Sequence, residues 1–399
     1  MEKLSSNKLT VRYSLYQMCF FTTNAGIFAF AAAYLLDKGF QTSQTGTILA
    51  VTNIISCVLQ PVLGDFADRF RGFVFPKIIA ALLLCSLGSF LVIQIFHPAI
   101  ALYGLLYVVG GLAVSVTVSL NNSLCAYYSR RNIPINFGIG AGVGSLSYSF
   151  ASLGIGYVIA RMGADWMIWI VLASLVFQIV LVTGYPQINQ DGGREQAVDD
   201  GKRDESVSII MFWRKYPYFT ITILGAMLIA MCHSMTENYL IHIFSRIGGG
   251  SLNVGTALFI ACISAAPVLL FIEKIQNKTG FSILMRLSGA FYICKAFLLI
   301  EASTVLSVYL IELLQFCTYG FIYPLLYYFA RERMMDADMA KGQAVSMSFY
   351  TLGTAFGSYA GGILIDAFGV EKMLFTALLP ALAGTVIINM TVGKTDNIN

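Results

Sequence analysis

Hydrophobic residues fall in long blocks along this chain, and short polar turns break the blocks. Runs of about 20 apolar residues are long enough to cross a bilayer as helices. Twelve such runs can be read, at roughly 13–36, 44–66, 75–96, 99–122, 137–160, 165–185, 217–243, 252–272, 281–301, 303–328, 343–365 and 371–392. The stretch from Gln187 to Ser208 is different. It holds Asp191, Arg194, Glu195, Asp199, Asp200, Lys202, Arg203, Asp204 and Glu205. Such a stretch cannot bury enough apolar area to order itself, so it reads as a flexible linker. The pattern therefore predicts an N-terminal six-helix bundle over 1–186, a cytoplasmic linker over 187–213 and a C-terminal six-helix bundle over 214–399. The fold class is an all-α membrane protein of twelve transmembrane helices in two pseudo-symmetric halves.

Composition supports this reading. Of the 399 residues, 57% are hydrophobic and 12% charged, and the mean hydropathy is +0.74. Soluble domains carry about 25% charged residues. With half that charge the surface cannot be covered by polar groups, so lipid must meet it. Placing the N-terminus in the cytoplasm puts nearly all of the 25 Lys and Arg in cytoplasmic segments. Only Lys38, Arg161, Arg246 and Lys372 fall outside, and Lys295 falls within a span. This bias predicts both termini in the cytoplasm and a multi-pass protein of the cytoplasmic (inner) membrane. The first span follows a polar start (Ser5 to Thr10) and exceeds a signal-peptide core, so it is expected to be an uncleaved targeting segment. The basic residues form no nucleic-acid patch. The eight cysteines lie mostly in apolar segments without a CxxC pair, and no cofactor or metal site is expected.

The halves repeat each other weakly. Gln44-Thr45-Gly46-Thr47 opens the second span and Asn253-Val254-Gly255-Thr256 the eighth. Gly156 and Gly163 close the fifth, and Gly362 and Gly369 close the eleventh. Glycine-rich faces allow close helix approach, and paired halves around a central site are the usual build of secondary transporters.

After the second span the chain reads Gly64-Asp65-Phe66-Ala67-Asp68-Arg69-Phe70-Arg71-Gly72. This resembles the cytoplasmic signature of the major facilitator superfamily. The resemblance implies a conformational latch at Gly64, Asp65, Asp68 and Arg69, in which the carboxylates pair with basic groups across the bundle face. Ser129-Arg130-Arg131-Asn132 followed by Asn136-Phe137-Gly138 resembles the oligosaccharide:proton symporter branch that contains lactose permease. That branch carries a basic residue in its ninth helix, where Lys295 stands here, and acidic residues in its seventh, near Glu237. Its tenth helix carries a charged residue, a His and an acid where this chain has Glu312, Gln315 and Thr318. The galactoside-binding charges are also missing, their positions being taken by Asn122 and Ala141, with Tyr148 where the stacking tryptophan would be. Galactoside transport is therefore not expected.

A charge at bilayer depth costs roughly 2.5–3.5 kcal/mol on insertion scales and marks a functional position. Glu237, Lys295 and Glu312 are expected at similar depth, forming one cluster between spans 7, 9 and 10. Two carboxylates around one ammonium leave one carboxylate free to accept a proton, a coupling device; the alternative is a static buried ion pair. His233, one turn before Glu237, is a further proton-coupling candidate. His97 and His242 are expected at the outer surface.

Amides and tyrosines at helical spacing suit a neutral, hydroxyl-rich solute. The substrate-binding candidates are Gln17, Asn24, Asn121, Asn122, Tyr148, Gln315 and Tyr319. The expected function is proton-coupled uptake of a small polar solute (a sugar, oligosaccharide or nucleoside) by a monomeric alternating-access carrier. The alternative is proton-coupled efflux of a drug or metabolite. Exporters often place a Pro in a glycine signature of the fifth span, and this span has glycines but no Pro. No hydrolase, metalloprotease or phosphate-loop motif appears, so no enzyme activity is expected.

Overall fold

The computed structural model describes residues 6–69, 75–129, 133, 135–186 and 209–394. The described residues are almost wholly helical. Ten helices are long and apolar enough to cross a membrane, and the pair Ser6–Ala29 and Ala31–Asp37, bent by 55°, makes an eleventh span. The twelfth comes from the long helix Asp336–Thr391, which is broken at Gly369 by φ 82° and ψ 168°. Numbered in order, span 1 is the bent pair. Spans 2 to 6 are Thr42–Arg69, Phe75–Phe96, Ile100–Ser129, Phe137–Met162 and Asp165–Thr183. Spans 7 to 10 are Pro217–Glu237, Ser251–Thr279, Phe281–Glu301 and Val305–Arg333, and 11 and 12 are 341–368 and 370–391. Six spans lie on each side of residues 187–208. A short helix, Ile209–Lys215, leads into span 7.

The repeat read in the sequence has a structural counterpart. Gly163 ends span 5 with φ 97° and Gly369 ends span 11 with φ 82°, a left-handed conformation that is steeply unfavourable for any residue with a Cβ. Gly46 packs against the Ser358 carbonyl of span 11, and Gly255 against the Ser152 carbonyl and Gly156 of span 5. The two halves thus meet along two matching seams, 2 against 11 and 5 against 8. At each seam the absent side chain lets backbones touch. Both seams lie toward the end of the bundle that holds Thr42, called here the Thr42 end.

Two spans are interrupted. Span 1 passes through a π-helical turn at Ala25–Ala29 and bends at Phe30. A carbonyl freed by such a turn needs a donor in lipid, and the Tyr107 hydroxyl supplies one to Ile27 O at 2.7 Å. Span 10 changes from α-helix to a 3-10 turn at Leu313–Phe316 and restarts at Tyr319. There the Ser288 hydroxyl donates to Thr318 O at 3.0 Å. Large apolar side chains such as Phe96, Phe177, Leu270, Leu306 and Leu379 point outward, each more than half exposed. In a soluble protein this would be a severe liability; against hydrocarbon it is the ordinary solvation of a span.

Candidate functional site

Span 9 is apolar on most faces, and Lys295 is its one deep charge. Its ammonium lies 2.6 Å from Glu237 Oε1 and 2.8 Å from Glu312 Oε2, and it donates to Gln315 Oε1 at 2.8 Å. The three donors of an ammonium are thereby all used. Lys295 is 2% exposed, Glu312 0% and the Glu237 side chain 12%. At about 1.5 Å per residue, Lys295 sits roughly 9 Å along its helix from Glu301.

Each carboxylate stands where its helix breaks. Glu237 is the last residue of span 7, after which the chain turns at Asn238 and Tyr239 into the short helix Leu240–Arg246. The apolar run over 217–243 predicts a single span here, and the structure breaks it after Glu237. Glu312 is the last α-helical residue before the 3-10 turn. Glu312 Oε1 is buried and has no hydrogen-bond partner among the described residues. Counted as formal charges, two carboxylates and one ammonium leave one uncompensated negative charge in a low-dielectric site. Such a charge is costly, and one proton removes it.

The other candidates are distributed around this cluster. His233 stacks on Tyr319 (5.6 Å between ring centres, 22°) and meets Tyr292 edge-on; its Nδ1 has no partner among the described residues. Gln315 holds Lys295 through its carbonyl oxygen, which also accepts from Thr318. Through that oxygen it joins the charge cluster. Tyr148 enters from span 5, edge-on to Phe21 of span 1, and is an electrostatic neighbour of Glu237. In span 1 the Gln17 amide donates to Tyr13 Oη at 2.7 Å and the Asn24 amide to Phe20 O at 3.0 Å. Asn121 is buried in span 4. The Asn122 side chain and those of the latch residues Gly64, Asp65, Asp68 and Arg69 lie outside the described residues. His242, expected at the surface, is half-buried with Nε2 3.5 Å from Thr42 Oγ1.

Tyr292, Tyr323 and Tyr350 are additions that the sequence did not single out. Tyr319 stacks on Tyr323 at 4.9 Å and 21°, and Tyr350 meets Tyr323 edge-on at 5.6 Å. With His233 and Tyr292 they form an aromatic wall beside the ion cluster. Tyr319 and Tyr323 at i, i+4 in span 10 were the available signal. Among the described residues no group of three or more His, Cys, Asp or Glu is placed to hold a metal ion.

Twelve spans in two matched halves, with charge buried beside the central seam, define a secondary membrane transporter. The chain belongs to the MFS_1-like family, which it matches over residues 10–377, and so to the major facilitator superfamily of multi-pass transporters rather than to an enzyme family. No curated protein matches it closely enough to count as a relative. The fold is shared with solved structures of low sequence identity. The nucleoside transporter NupG superposes with a TM-score of 0.78 at 14% identity, covering 96% of this chain and 98% of that one. A bacterial homologue of the human lysosomal transporter Spinster, inward-facing and unoccupied, gives 0.72 at 12%, covering 98% of each. A D-xylose–proton symporter gives 0.69 at 15%, covering 97% and 99%.

Proposed function

We propose that the protein is a proton-coupled symporter that takes up a small, neutral, hydroxyl-rich solute such as a sugar, oligosaccharide or nucleoside. It works as a monomer in the cytoplasmic membrane with both termini inside. The halves rock about the seams between spans 2 and 11 and spans 5 and 8, exposing the central site to each side in turn. The observation that carries this reading is the Lys295 ammonium held by Glu237 and Glu312 with Glu312 Oε1 left unpartnered. A proton on Glu312 makes the cluster neutral, and the loaded carrier then turns without moving an unbalanced charge through a dry site. The aromatic wall and the neighbouring amides supply flat faces and neutral donors and acceptors for the solute. The solutes named for two structural neighbours, a nucleoside and D-xylose, have this chemistry.

A thermal-shift screen of sugars and nucleosides at two pH values identifies the solute, because a ligand that favours the folded state raises Tm. In proteoliposomes loaded with that solute, Glu312→Gln should abolish accumulation driven by a pH gradient and leave solute exchange measurable. Undiminished uphill accumulation by this variant would rule out the coupling role.

A further inference from the structure

Among the described residues, no side chain of span 2 accepts from the amides of its first two residues. Its N-cap position is Gln41, a poor capping residue, and its first turn holds no acidic residue. The Gln44 side chain is turned back onto Gln41 N–H at 2.9 Å. The first amides of a helix have no intrahelical acceptor, so those of Thr42 and Ser43 need a partner. The partner comes from the other half. Asp366, near the end of span 11, accepts from Thr42 N–H through Oδ1 at 3.1 Å and from Ser43 N–H through Oδ2 at 2.6 Å. A carboxylate here also meets the positive end of the helix dipole. The contact is surrounded by tight backbone approaches: Gly362 against the Thr42 carbonyl and Gly46 against that of Ser358, which also accepts from the Tyr239 hydroxyl. Gln41, Ser43, Ile363, Asp366 and Ala367 line an open cleft at the same place.

We propose that Asp366 is a helix cap acting in trans, which holds the Thr42 end of the transporter shut and is released each time that end opens. A cap within one helix stabilises that helix in every conformation. This one exists only while spans 2 and 11 touch, so its whole contribution favours the closed state. The proposal rests on the rocking motion proposed above, since a rigid protein would have no state in which the cap is broken. Losing an N-cap residue shifts a helix equilibrium by about fivefold, and that is the expected shift here.

The test is pulsed electron paramagnetic resonance on the full chain with its eight native cysteines replaced. Spin labels go at Met162 and Leu252, exposed positions on the 5–8 seam at the same end and away from Asp366. Asp366→Ala should raise the ratio of long to short distances about fivefold, and Asp366→Asn, which keeps one acceptor oxygen, should raise it less. Thr42→Pro deletes one donor at the helix position where proline is best tolerated and should raise the ratio about threefold; Thr42→Val retains the N–H, loses only the hydroxyl that also bonds Asp366, and should raise the ratio less than Thr42→Pro. Asp366→Ala with Thr42→Pro should go no further than Asp366→Ala alone, because both remove one contact. Unchanged distances in both Asp366 variants, or full additivity with Thr42→Pro, overturn the cap. Loss of uphill uptake in Glu312→Gln alongside unchanged distances would sink the cap alone and leave the coupling reading standing. If the wild-type protein also holds one distance while turning over solute, the rocking motion fails with it.

Discussion

The two halves share a fold but handle polarity differently. In the C-terminal half, spans 7, 9 and 10 bring three formal charges together at depth. In the N-terminal half the corresponding depth is neutral. There Gln178 donates to Thr23, Thr23 to Ser174 and Ser174 to Cys19 O, at 2.8, 3.1 and 2.7 Å. A chain of neutral hydrogen bonds ties spans 1 and 6 together and is indifferent to pH. A cluster with an odd charge responds to a proton. Under the proposed coupling, one architecture carries a half indifferent to protons and a half that responds to them, and the difference lies in a few side chains rather than in topology.

The largest effect is expected at Lys295. Lys295→Met leaves two carboxylates buried without a counter-ion and should cost about 3–5 kcal/mol, read as a lower Tm and lower yield. Adding Glu237→Gln and Glu312→Gln to it should restore stability without restoring uphill transport, because the cluster is again neutral but has nothing to titrate. A triple variant that stays unstable would mean that the lysine packs rather than balances charge.

On the neutral side, Gln178→Leu removes the donor to Thr23 and should cost about 1 kcal/mol, while the pH dependence of uptake stays that of the parent. A changed pH profile would mean that the N-terminal half also takes part in coupling. Tyr319→Ala removes the ring that bridges His233 and Tyr323. With about 1 kcal/mol for the one ring face lost to the solute, the apparent KM should rise about fivefold with coupling retained.

The smallest effect is expected at a tie outside the spans, where Asp338 accepts from Lys215 at 2.6 Å and from Tyr216 at 2.7 Å. Burial pushes the Asp338 carboxyl up, but the hydrogen bonds from Lys215 and Tyr216 outweigh it and leave it below its ordinary value. Lys215 is held above its ordinary value, chiefly by its hydrogen bond to Asp338. A lowered carboxylate stabilises in full above the unfolded carboxylate range and loses that contribution as pH falls through the folded value. A raised lysine stabilises below the unfolded lysine range and loses it as pH rises through the folded value. The tie should therefore be level across the neutral range and fade only at acid or strongly alkaline pH. Lys215 is 31% exposed, so Lys215→Ala should lower stability by no more than about 1 kcal/mol, and less in high salt.

Much of this was legible in the sequence for a physical reason. A span needs about 20 apolar residues whatever its partners, so span positions follow from composition alone. Glu237, Lys295 and Glu312 stood out because charge inside an apolar run is rare, and helical rise gave their common depth. The interruptions did not show. The π-turn at Ala25–Ala29 depends on which neighbour satisfies a freed carbonyl, and the 3-10 turn at Leu313–Phe316 on contacts with span 9 such as Ser288 to Thr318 O. Tyr292, Tyr323 and Tyr350 were hidden among 21 tyrosines, each as much at home in a core as in a cavity wall. Asp366 resembled an ordinary loop charge, because its partners are backbone amides more than 300 positions away. Gln315 was read as a solute ligand, and only its distance to Lys295 places it in the ion cluster.

The spacing of the ion cluster along the chain bears on how the protein is made. Glu312 follows Lys295 by 17 residues, whereas Glu237 precedes it by 58. During biogenesis the first carboxylate leaves the ribosome long before its counter-ion, and the lysine only shortly before the second. Spans 9 and 10 can enter the bilayer as a hairpin already neutralised by its own pair. Span 7 bears the insertion cost of its own carboxylate until that hairpin packs against it.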